Sequence, residues 1–173
     1  GEVPLILAPK NKNPIVICGQ GVAPQLASLQ TFNDMGLNIV PGSGLLPAVV
    51  PGAFDAWMLL LLKYGTMSLR EVLEPAISIA NKGYPLVPNI VNTINSVEQL
   101  FRDEWKSSAE IYLPGGMSPK PGDFFTNKKM AETYLRIINE AEAKSSDIKE
   151  QIQCARDISV TYTHLTLPTN REV

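Results

Sequence analysis

Two consecutive helices are predicted by the sequence PGAFDAWMLLLLKYGTMSLREVLEPAISIANKG, which runs from Pro51 to Gly83. The first helix covers Ala53 to Tyr64, is apolar nearly all round and ends at Gly65, a pattern typical of a buried helix. The second begins with Ser68-Leu69-Arg70-Glu71, a capping box in which the serine and glutamate side chains satisfy the first backbone N–H groups. Because Pro75 removes a backbone donor inside this segment, we expect either a kink or a new helix there.

The residues before this stretch predict a strand, a turn and a short helix. Pro14 to Cys18 read PIVIC, a β-branched run that indicates a buried strand. Gly19-Gln20-Gly21 then forms a turn, and Pro24 suits the first position of a helix that Gly36 ends. A second short strand is expected at Ala48-Val49-Val50, inside a segment rich in glycine and proline.

The second half of the chain predicts three helices around one irregular loop. The helices are expected at Asn89 to Arg102, Lys128 to Lys144 and Ser146 to Asp157. Pro114 to Asp123 holds three prolines and three glycines, which indicates a loop without regular structure. The polar junction Ala141 to Ser146 is expected to be exposed. The fold class predicted for the chain is therefore α/β and mostly helical, with one or two strands.

Composition is that of a globular protein and excludes several classes of partner. Hydrophobic residues make up 45% of the 173 residues and charged residues 18%, which is ordinary for a packed domain. The net charge is -2 and there is no basic stripe, so neither nucleic acid nor an anionic membrane is expected as a partner. The apolar run Trp57 to Leu62 is far shorter than the roughly 20 residues of a membrane span.

The two cysteines make a metal site improbable. Cys18 and Cys154 form no CxxC pattern and supply too few soft ligands for zinc, so no metal ligand is predicted. We expect two buried free thiols, with a disulfide left open as the alternative. Cysteine usage leaves the redox compartment undetermined. No signal peptide is visible, but Gly1 opens the chain without a Met, so we expect the true N-terminus to be missing, and a cytoplasmic and a periplasmic or secreted location both stay open.

The last residues differ in character from the helical stretch before them. From Ser159 to Val173 the chain reads SVTYTHLTLPTNREV, which resembles the peptide translated from sequencing-adaptor DNA. We therefore divide the chain into residues 1–158, on which the functional reasoning rests, and a non-native tail at residues 159–173. If the tail forms any structure, we expect an isolated Thr-rich strand.

Few residues are candidates for chemistry when each is taken on its own. His164 is the only histidine and lies in the tail, so neither a Ser-His-Asp nor a Cys-His arrangement is expected. Asp55 opens an otherwise apolar helix, where the helix N-terminus stabilises a carboxylate. Four carboxylates on predicted helix faces are interpreted as solvated: Glu71, Glu74, Glu140 and Glu142.

Two glycine-containing segments match phosphate-binding loops only in part. Gly19-Gln20-Gly21 can present backbone N–H groups to an anion, but no third glycine follows at the spacing of a dinucleotide site, and a plain tight turn is favoured. Leu113-Pro114-Gly115-Gly116 lacks the Lys-Ser/Thr ending of a phosphate-binding loop and is interpreted as structural.

Three blocks of sequence occur in a characteristic order. The first is Gly21 to Pro24; the second is Ala48 to Trp57, continued by KYG, SLREVLEPAI and GYPL; the third is Tyr112 to Gly116, followed by Pro119 to Asp123. Together they resemble the large-subunit region of γ-glutamyltransferases, also called glutathione hydrolases, in their γ-glutamyltransferase-like branch, and of their acylase-like relatives. The resemblance covers Ile15 to Ile158, and the second block is its most specific part.

This resemblance implies a fold and a mechanism for a longer protein, of which the chain is a fragment. The implied fold is the four-layer αββα sandwich of N-terminal-nucleophile hydrolases, incomplete in the fragment. Such enzymes cut their own chain and expose a threonine at the N-terminus of a small subunit. Its hydroxyl attacks the γ-amide of glutathione or a similar compound, with its own α-amine as the base, and water or an amino acid then takes the γ-glutamyl group. No metal or organic cofactor is implied.

The catalytic threonine is expected beyond the fragment, so no catalytic residue is assigned within it. Thr161, Thr163, Thr166 and Thr169 lie in the tail without the family's surrounding motif. The fragment alone is accordingly expected to be inactive. Its implied partner is the missing small subunit, in a heterodimer formed by self-cleavage, and its implied substrate is a small γ-glutamyl or acyl amide.

One substrate-binding position of the family falls inside the fragment. Typical members carry an arginine four residues before the proline of the Ala-Pro pair, where it pairs with the substrate's α-carboxylate, and this sequence has Gln20 there. Glutamine donates hydrogen bonds without charge, so the bidentate, charge-assisted pair is lost. A turn glutamine that faces solvent is the structural alternative.

The change from arginine to Gln20 leaves more than one function open. It favours an amidase or acylase of the same superfamily, acting on an acyl group other than γ-glutamyl, over a strict γ-glutamyl enzyme. A third hypothesis, of another class, is a non-catalytic binding or assembly module.

Overall fold

The computed structural model describes the backbone of residues 3–166 and the side chains of residues 3–159. The chain divides into two compact units. The first unit holds the residues up to Met67 and those from Glu140 onward, and the second holds Ser68–Asn139. The first unit is therefore discontinuous in sequence, whereas the second is one continuous segment.

Seven α-helices and four short strands lie within the described residues. In chain order they are β1 (Pro4–Leu7), β2 (Ile15–Cys18), α1 (Leu29–Asp34), α2 (Ala53–Tyr64), α3 (Leu69–Lys82), β3 (Tyr84–Pro85), α4 (Pro88–Asp103), α5 (Lys106–Tyr112), β4 (Phe124–Phe125), α6 (Lys128–Lys144) and α7 (Ile148–Thr166). This confirms a mostly helical α/β chain, with four short strands where one or two are predicted.

An antiparallel hairpin begins the first unit. Strand β1 pairs with β2, and Leu5 lies opposite Ile17. The strand predicted at Pro14 to Cys18 is therefore confirmed over Ile15–Cys18, but its predicted burial is wrong, since Val16 is 66% exposed. Strand β1 is not predicted by the sequence, because its leucines give a weaker strand signal than β-branched residues do. Asn11 has a φ of 62° in the connection, a conformation that asparagine tolerates better than most residues.

Helix α1 begins later than the sequence predicts. Ser28 caps it, since the Ser28 Oγ accepts a hydrogen bond from the Thr31 N–H at 3.1 Å. Pro24 therefore lies outside the helix, in a preceding turn in which the Ala27 N–H donates to the Pro24 carbonyl at 2.9 Å. The prediction that Gly36 ends this helix is confirmed, with a φ of 72° just after the last helical turn.

The strand predicted at Ala48-Val49-Val50 is wrong. The Val50 N–H donates to the Val22 carbonyl at 2.9 Å, but no strand is assigned at these residues. A β-branched run forms a strand only where a partner chain continues the hydrogen-bond ladder, and this single bond does not.

Helix α2 covers its predicted residues and ends at Gly65, but it is only half-buried. Of its side chains only Ala56 and Met58 are buried, and Trp57 is 42% exposed. The prediction of a fully buried helix is therefore wrong for this chain. Helix α7 and strand β2 contact α2. Because α2 is apolar nearly all round, these contacts cover only part of its apolar surface.

Helix α7 starts two residues after its predicted beginning and continues to Thr166. The Thr-rich strand predicted for the tail is therefore wrong over residues 159–166. An existing helix extends by adding one hydrogen bond per residue, whereas an isolated strand has no partner. Ile152, Cys154 and Ala155 are buried and anchor the helix upstream. Residues 167–173 of the predicted tail lie outside the described residues.

Two predictions of burial are also wrong. Ala141 is fully buried rather than exposed, because α6 continues to Lys144 and places this residue on a helix face. Cys18 is exposed and Cys154 is buried, and both are free thiols. Alternation of side chains along β2 explains the exposure of Cys18, which points to the same face as Val16.

The second unit has its own core. Five buried side chains form it: Leu86, Val91, Ile94, Phe101 and Leu113. A row of aromatic rings runs in the order Trp105, Phe101, Tyr112, Phe125 and Tyr84, with neighbouring centroids between 5.6 and 6.1 Å apart. Strand β3 pairs with β4 and holds the last two rings of this row together.

The predicted helix boundaries in the second unit are largely confirmed. Helix α3 begins with the capping box: the Ser68 Oγ accepts from the Glu71 N–H at 3.3 Å, and the Glu71 Oε2 accepts from the Ser68 N–H at 2.8 Å. Pro75 lies within one continuous helix, so no new helix starts there. Gly83 ends α3 with a φ of 87°. Helix α4 lies within one residue of its prediction at each end, and α6 matches its prediction.

Candidate functional site

The turn that carries Gln20 follows β2 directly and is fixed on both sides. The Gly19 N–H donates to the Val3 carbonyl at 2.7 Å, which continues the hairpin pairing beyond the strand ends. On the other side, the Val50 N–H donates to the Val22 carbonyl at 2.9 Å. Gln20 therefore lies on a short segment whose two ends are both bound to neighbouring backbone.

Close packing explains both glycines of this turn. A β-carbon on Gly19 would lie 2.6 Å from the Val3 carbonyl oxygen and 2.7 Å from the Ala56 β-carbon. A β-carbon on Gly21 would lie 2.3 Å from the Val50 carbonyl oxygen. Neither position has room for a side chain, because the opposing atoms are backbone or a short methyl. The glycines therefore have a packing role, in keeping with the tight-turn interpretation.

The start of helix α2 lies against the same turn. A β-carbon on Gly52 would lie 2.9 Å from the Gly19 carbonyl oxygen and 3.0 Å from the Gln20 carbonyl oxygen. Ala56, one helical turn further along, is the residue whose methyl faces Gly19. The position of Gln20 is thus tied to the first turn of α2 through direct backbone contact.

The Gln20 side chain is exposed. Its Oε1 accepts a hydrogen bond from the Cys18 Sγ at 3.8 Å, which is weak because thiols are poor donors. The carboxamide nitrogen is the group that can donate to a carboxylate of a ligand. Exposure is compatible both with substrate contact and with a solvent-facing turn glutamine, so the assignment of Gln20 stays a prediction.

Asp55, in the first turn of α2, forms an ion pair with Arg156 of α7. The Arg156 Nε donates to Asp55 Oδ1 at 2.7 Å, and the Nη2 donates to Oδ2 at 3.2 Å. Hydrogen bonds from Arg156 to the Asp55 carboxylate raise the pKa of the guanidinium further. Sequence reasoning found Asp55 by its place at a helix N-terminus, but it missed Arg156, because the partner lies 101 residues away.

A separate polar network in the second unit surrounds Glu98. The Ser118 Oγ donates to Glu98 Oε2 at 2.6 Å, and the Arg102 Nε donates to Oε1 at 2.9 Å. These hydrogen bonds, the one from Ser118 first, lower the pKa of Glu98. The Arg102 Nη2 also donates to the Gly116 carbonyl at 2.6 Å. This bond ties the loop to α4. A single 3₁₀ turn at Pro114–Gly116 begins the loop, so the prediction of no regular structure from Pro114 to Asp123 is wrong at its start.

The remaining candidates do not assemble into a second site. Among the residues with described side chains, no three His, Cys, Asp or Glu form a group that would hold a metal ion. Glu71 serves as a helix cap, and hydrogen bonds from Ser68 lower its pKa. The side chains of His164 and of the tail threonines Thr161, Thr163, Thr166 and Thr169 lie outside those that the structure describes. No helix within the described residues has the length and apolar character of a membrane span.

The chain matches the sequence model of one known family over most of its length. The sequence model described as gamma-glutamyltranspeptidase matches residues 1–145. The chain belongs to the gamma-glutamyltranspeptidase family. The family predicted from the three sequence blocks is therefore confirmed, and the turn at Gln20 and the first turn of α2 both lie within the matched residues.

Curated members of the gamma-glutamyltranspeptidase family and its acylase relatives match part of the chain. The glutathione hydrolase-like YwrD proenzyme of Bacillus subtilis (strain 168) is 35% identical over 107 residues, which cover 61% of this chain and 20% of the relative. The acylase ACY 1 proenzyme of Pseudomonas sp. (strain V22) is 39% identical over 80 residues, covering 46% of this chain and 14% of the relative. The glutathione hydrolase proenzyme of Bacillus subtilis (strain 168) is 29% identical over 157 residues, covering 88% and 26%. The chain thus spans between 14% and 26% of these relatives' lengths.

Several solved structures have the same fold over most of this chain. LmbA2991HD superposes with a TM-score of 0.86 at 46% identity, over 91% of this chain and 27% of that one. The gamma-glutamyltranspeptidase of Helicobacter pylori gives a TM-score of 0.72 at 22% identity, over 88% and 50% of the two chains. A cephalosporin acylase from Bacillus halodurans gives 0.70 at 24% identity, over 86% and 32%. The predicted fold class, part of an N-terminal-nucleophile hydrolase, is confirmed.

Proposed function

We propose that this chain is part of the large subunit of a γ-glutamyltransferase-like enzyme, which cleaves γ-glutamyl amides through a threonine on a separate small subunit. The observation that carries the proposal is the Gly19-Gln20-Gly21 turn, held against the start of α2 within the residues that match the family. Several relatives are named proenzymes, which supports maturation from a precursor. The small subunit released by that cleavage is the proposed partner.

The proposed reaction is an acyl transfer in two steps. The threonine hydroxyl attacks the γ-carbonyl carbon while its own α-amine takes the hydroxyl proton. The C–N bond of the tetrahedral intermediate then breaks, the leaving amine takes that proton, and a γ-glutamyl ester remains on the threonine. Water or the amine of an amino acid then attacks the ester carbonyl, the C–O bond to the threonine breaks, a proton from the attacking group returns to the threonine oxygen, and glutamate or a γ-glutamyl amino acid leaves. In this reaction the present chain contributes to substrate binding rather than to bond making.

Gln20 is the proposed contact for the α-carboxylate of the substrate. Its carboxamide N–H can donate one hydrogen bond to a carboxylate oxygen, without the second parallel bond and the charge of an arginine. A hydrogen bond between neutral groups contributes about 1 kcal/mol, and one with a charged partner about 1.5–3 kcal/mol. The enzyme should therefore prefer substrates with an α-carboxylate over substrates without one, but only by a modest factor in kcat/KM.

The second candidate is an acylase with a non-glutamyl substrate. Two observations favour it: the absence of positive charge at Gln20, and a relative named acylase that is 39% identical over its matched segment. In that case the turn would contact an acyl chain without an α-carboxylate, and Gln20 would face solvent or donate to a neutral acceptor.

A panel of p-nitroanilides separates the two candidates in the protein encoded by the complete reading frame that contains this chain. The panel is γ-glutamyl-p-nitroanilide, 4-aminobutyryl-p-nitroanilide, which lacks only the α-carboxylate, and glutaryl-p-nitroanilide, which lacks only the α-amine. Mass spectrometry of the purified protein reports self-cleavage, and the same protein with alanine at the new N-terminus serves as the inactive control.

The γ-glutamyl proposal predicts two chains with a threonine at the new N-terminus, and a kcat/KM for the γ-glutamyl compound about tenfold above that for the 4-aminobutyryl compound. Glutaryl or 4-aminobutyryl hydrolysis that exceeds γ-glutamyl hydrolysis would instead support the acylase. An uncleaved protein that hydrolyses none of the three would contradict both.

A further inference from the structure

The ion pair between α2 and α7 has a consequence for the turn at Gln20. We propose that Asp55 and Arg156 act as a positioning pair, which fixes the first turn of α2 and thereby holds the Gly19-Gln20-Gly21 turn in place. The effect of the pair on substrate preference rests on the proposed function, whereas its effect on the turn does not.

The geometry of the pair restricts both translation and rotation of α2. Two N–H groups of one guanidinium, Nε and Nη2, bind the two oxygens of one carboxylate at 2.7 and 3.2 Å. Such a planar, two-bond contact fixes orientation, which a single-point lysine contact does not. Most exposed ion pairs contribute little; here 22% of the Arg156 side chain and 39% of the Asp55 side chain are exposed, so water competes for the contact less than at a fully exposed pair.

Arg156 is itself held within α7. Its Nη1 donates to Gln153 Oε1 at 3.1 Å. Its neighbours Cys154 and Ala155 are buried, at 8% and 0% exposure. The guanidinium therefore projects from a well-anchored part of the helix, and Asp55 is the group that it constrains.

Asp55 is linked to the turn through the start of α2. Gly52 is the N-cap of α2, and Asp55 and Ala56 follow it by three and four residues, so all three lie at the start of the helix. Gly52 and Ala56 both touch Gly19 at separations with no room for one extra carbon. Close-packed atoms transmit a displacement instead of absorbing it. A shift of α2 away from α7 would therefore move the Gly19 backbone and, with it, Gln20.

Amide hydrogen exchange of the complete protein tests the structural part without using activity. The variants are Arg156→Met, Asp55→Asn and the conservative Arg156→Lys. Lys63→Met is the matched control, because Lys63 is an exposed cation on the same helix α2. Peptides that cover residues 15–22 report on the turn, and peptides from α3, in the other unit, report on general stability.

We expect amides in the 15–22 peptides to exchange about tenfold faster in Arg156→Met and Asp55→Asn, with partial recovery in Arg156→Lys. The control Lys63→Met and the α3 peptides should stay at wild-type rates. The proposal is overturned if the 15–22 peptides stay within about twofold of wild type in Arg156→Met. It is also overturned if the α3 peptides accelerate equally, since that pattern indicates general loss of stability.

The catalytic consequence is measured with the same variants and two anilides. Arg156→Met should lower the preference for γ-glutamyl over 4-aminobutyryl anilide through a higher KM for the γ-glutamyl compound, and leave kcat for the 4-aminobutyryl compound unchanged. An equal loss on both substrates would overturn a role in positioning Gln20. If the wild-type protein hydrolyses neither anilide, the proposed function fails, and the exchange rates still decide whether the pair holds the turn.

Discussion

The backbone of Gly21 lies against the carbonyl oxygen of Val50, so closely that a β-carbon on Gly21 would come within 2.3 Å of that oxygen. Gly21→Ala must push the turn away from Val50, and we expect the free energy of unfolding to fall by about 1–3 kcal/mol. Urea unfolding followed by circular dichroism measures the change. Gly42→Ala is the matched control, because no atom lies within 4 Å of a β-carbon there. Equal losses in the two variants would contradict a packing role for Gly21.

Gln20→Arg should restore a charged contact for an α-carboxylate. In the complete protein we expect kcat/KM for γ-glutamyl-p-nitroanilide to rise about tenfold, while the value for the 4-aminobutyryl compound stays unchanged. Gln25→Arg adds the same charge to a neighbouring exposed residue and should change neither substrate. A Gln20→Arg enzyme with unchanged or weaker γ-glutamyl hydrolysis would remove Gln20 from the substrate contact.

The capping box of α3 makes one contribution to stability depend on pH. Hydrogen bonds from Ser68 lower the folded-state pKa of Glu71 below its unfolded value. This contribution is therefore present above the unfolded pKa of about 4.3 and is lost as the pH falls through the lower folded value. Glu71→Gln keeps a side chain that can accept from the cap but does not titrate.

We accordingly expect wild type to be more stable than Glu71→Gln at neutral pH, and the difference to shrink as the solution is acidified through the glutamate range. Thermal unfolding of both proteins between pH 7 and pH 3 measures it. A difference in melting temperature that stays constant over this range would show that ionised Glu71 does not stabilise the cap.

Two isoleucines of α4 provide a matched test of the core in the second unit. Ile94 is 5% exposed and belongs to the core cluster, whereas Ile90, one turn earlier, is 40% exposed. Ile94→Ala should lower the free energy of unfolding by about 2–5 kcal/mol, because it removes buried methyl groups and leaves a cavity. Ile90→Ala removes the same atoms and should cost clearly less. Similar losses from both would mean that Ile90 is as well buried in solution as Ile94.

Local sequence signals predicted the helix ends at which a capping residue starts or stops the helix. Gly65 and Gly83 end α2 and α3 as predicted, and the Ser68–Glu71 capping box starts α3 where the pattern places it. Each of these signals acts within four residues of chain, so a single sequence contains all the information needed. The start of α1 was predicted too early, because Pro24 and Ser28 both suit the beginning of a helix. The helix begins at the serine cap.

Contacts between residues that lie far apart in the chain were not predicted, and the reason is physical. The Asp55–Arg156 pair depends on the packing of α2 with α7, which no local pattern encodes. The failed strand at Ala48-Val49-Val50 depends on the same kind of information, since a β-branched run needs a partner strand. Of the candidate site, the sequence therefore predicted the turn and Gln20, but not the ion pair that we propose to hold them.

The discontinuous first unit sets an order of events during synthesis. Helix α2 leaves the ribosome long before Arg156, and the continuous second unit, Ser68–Asn139, is completed in between. At that stage the second unit can fold from contacts within its own segment. The apolar side chains of α2 are still uncovered by α7, because that helix has not yet been made. Nascent chains that have emerged from the ribosome as far as a residue between Asn139 and Ile148 should therefore be the ones that chaperones bind most strongly, and the emergence of α7 ends that interval.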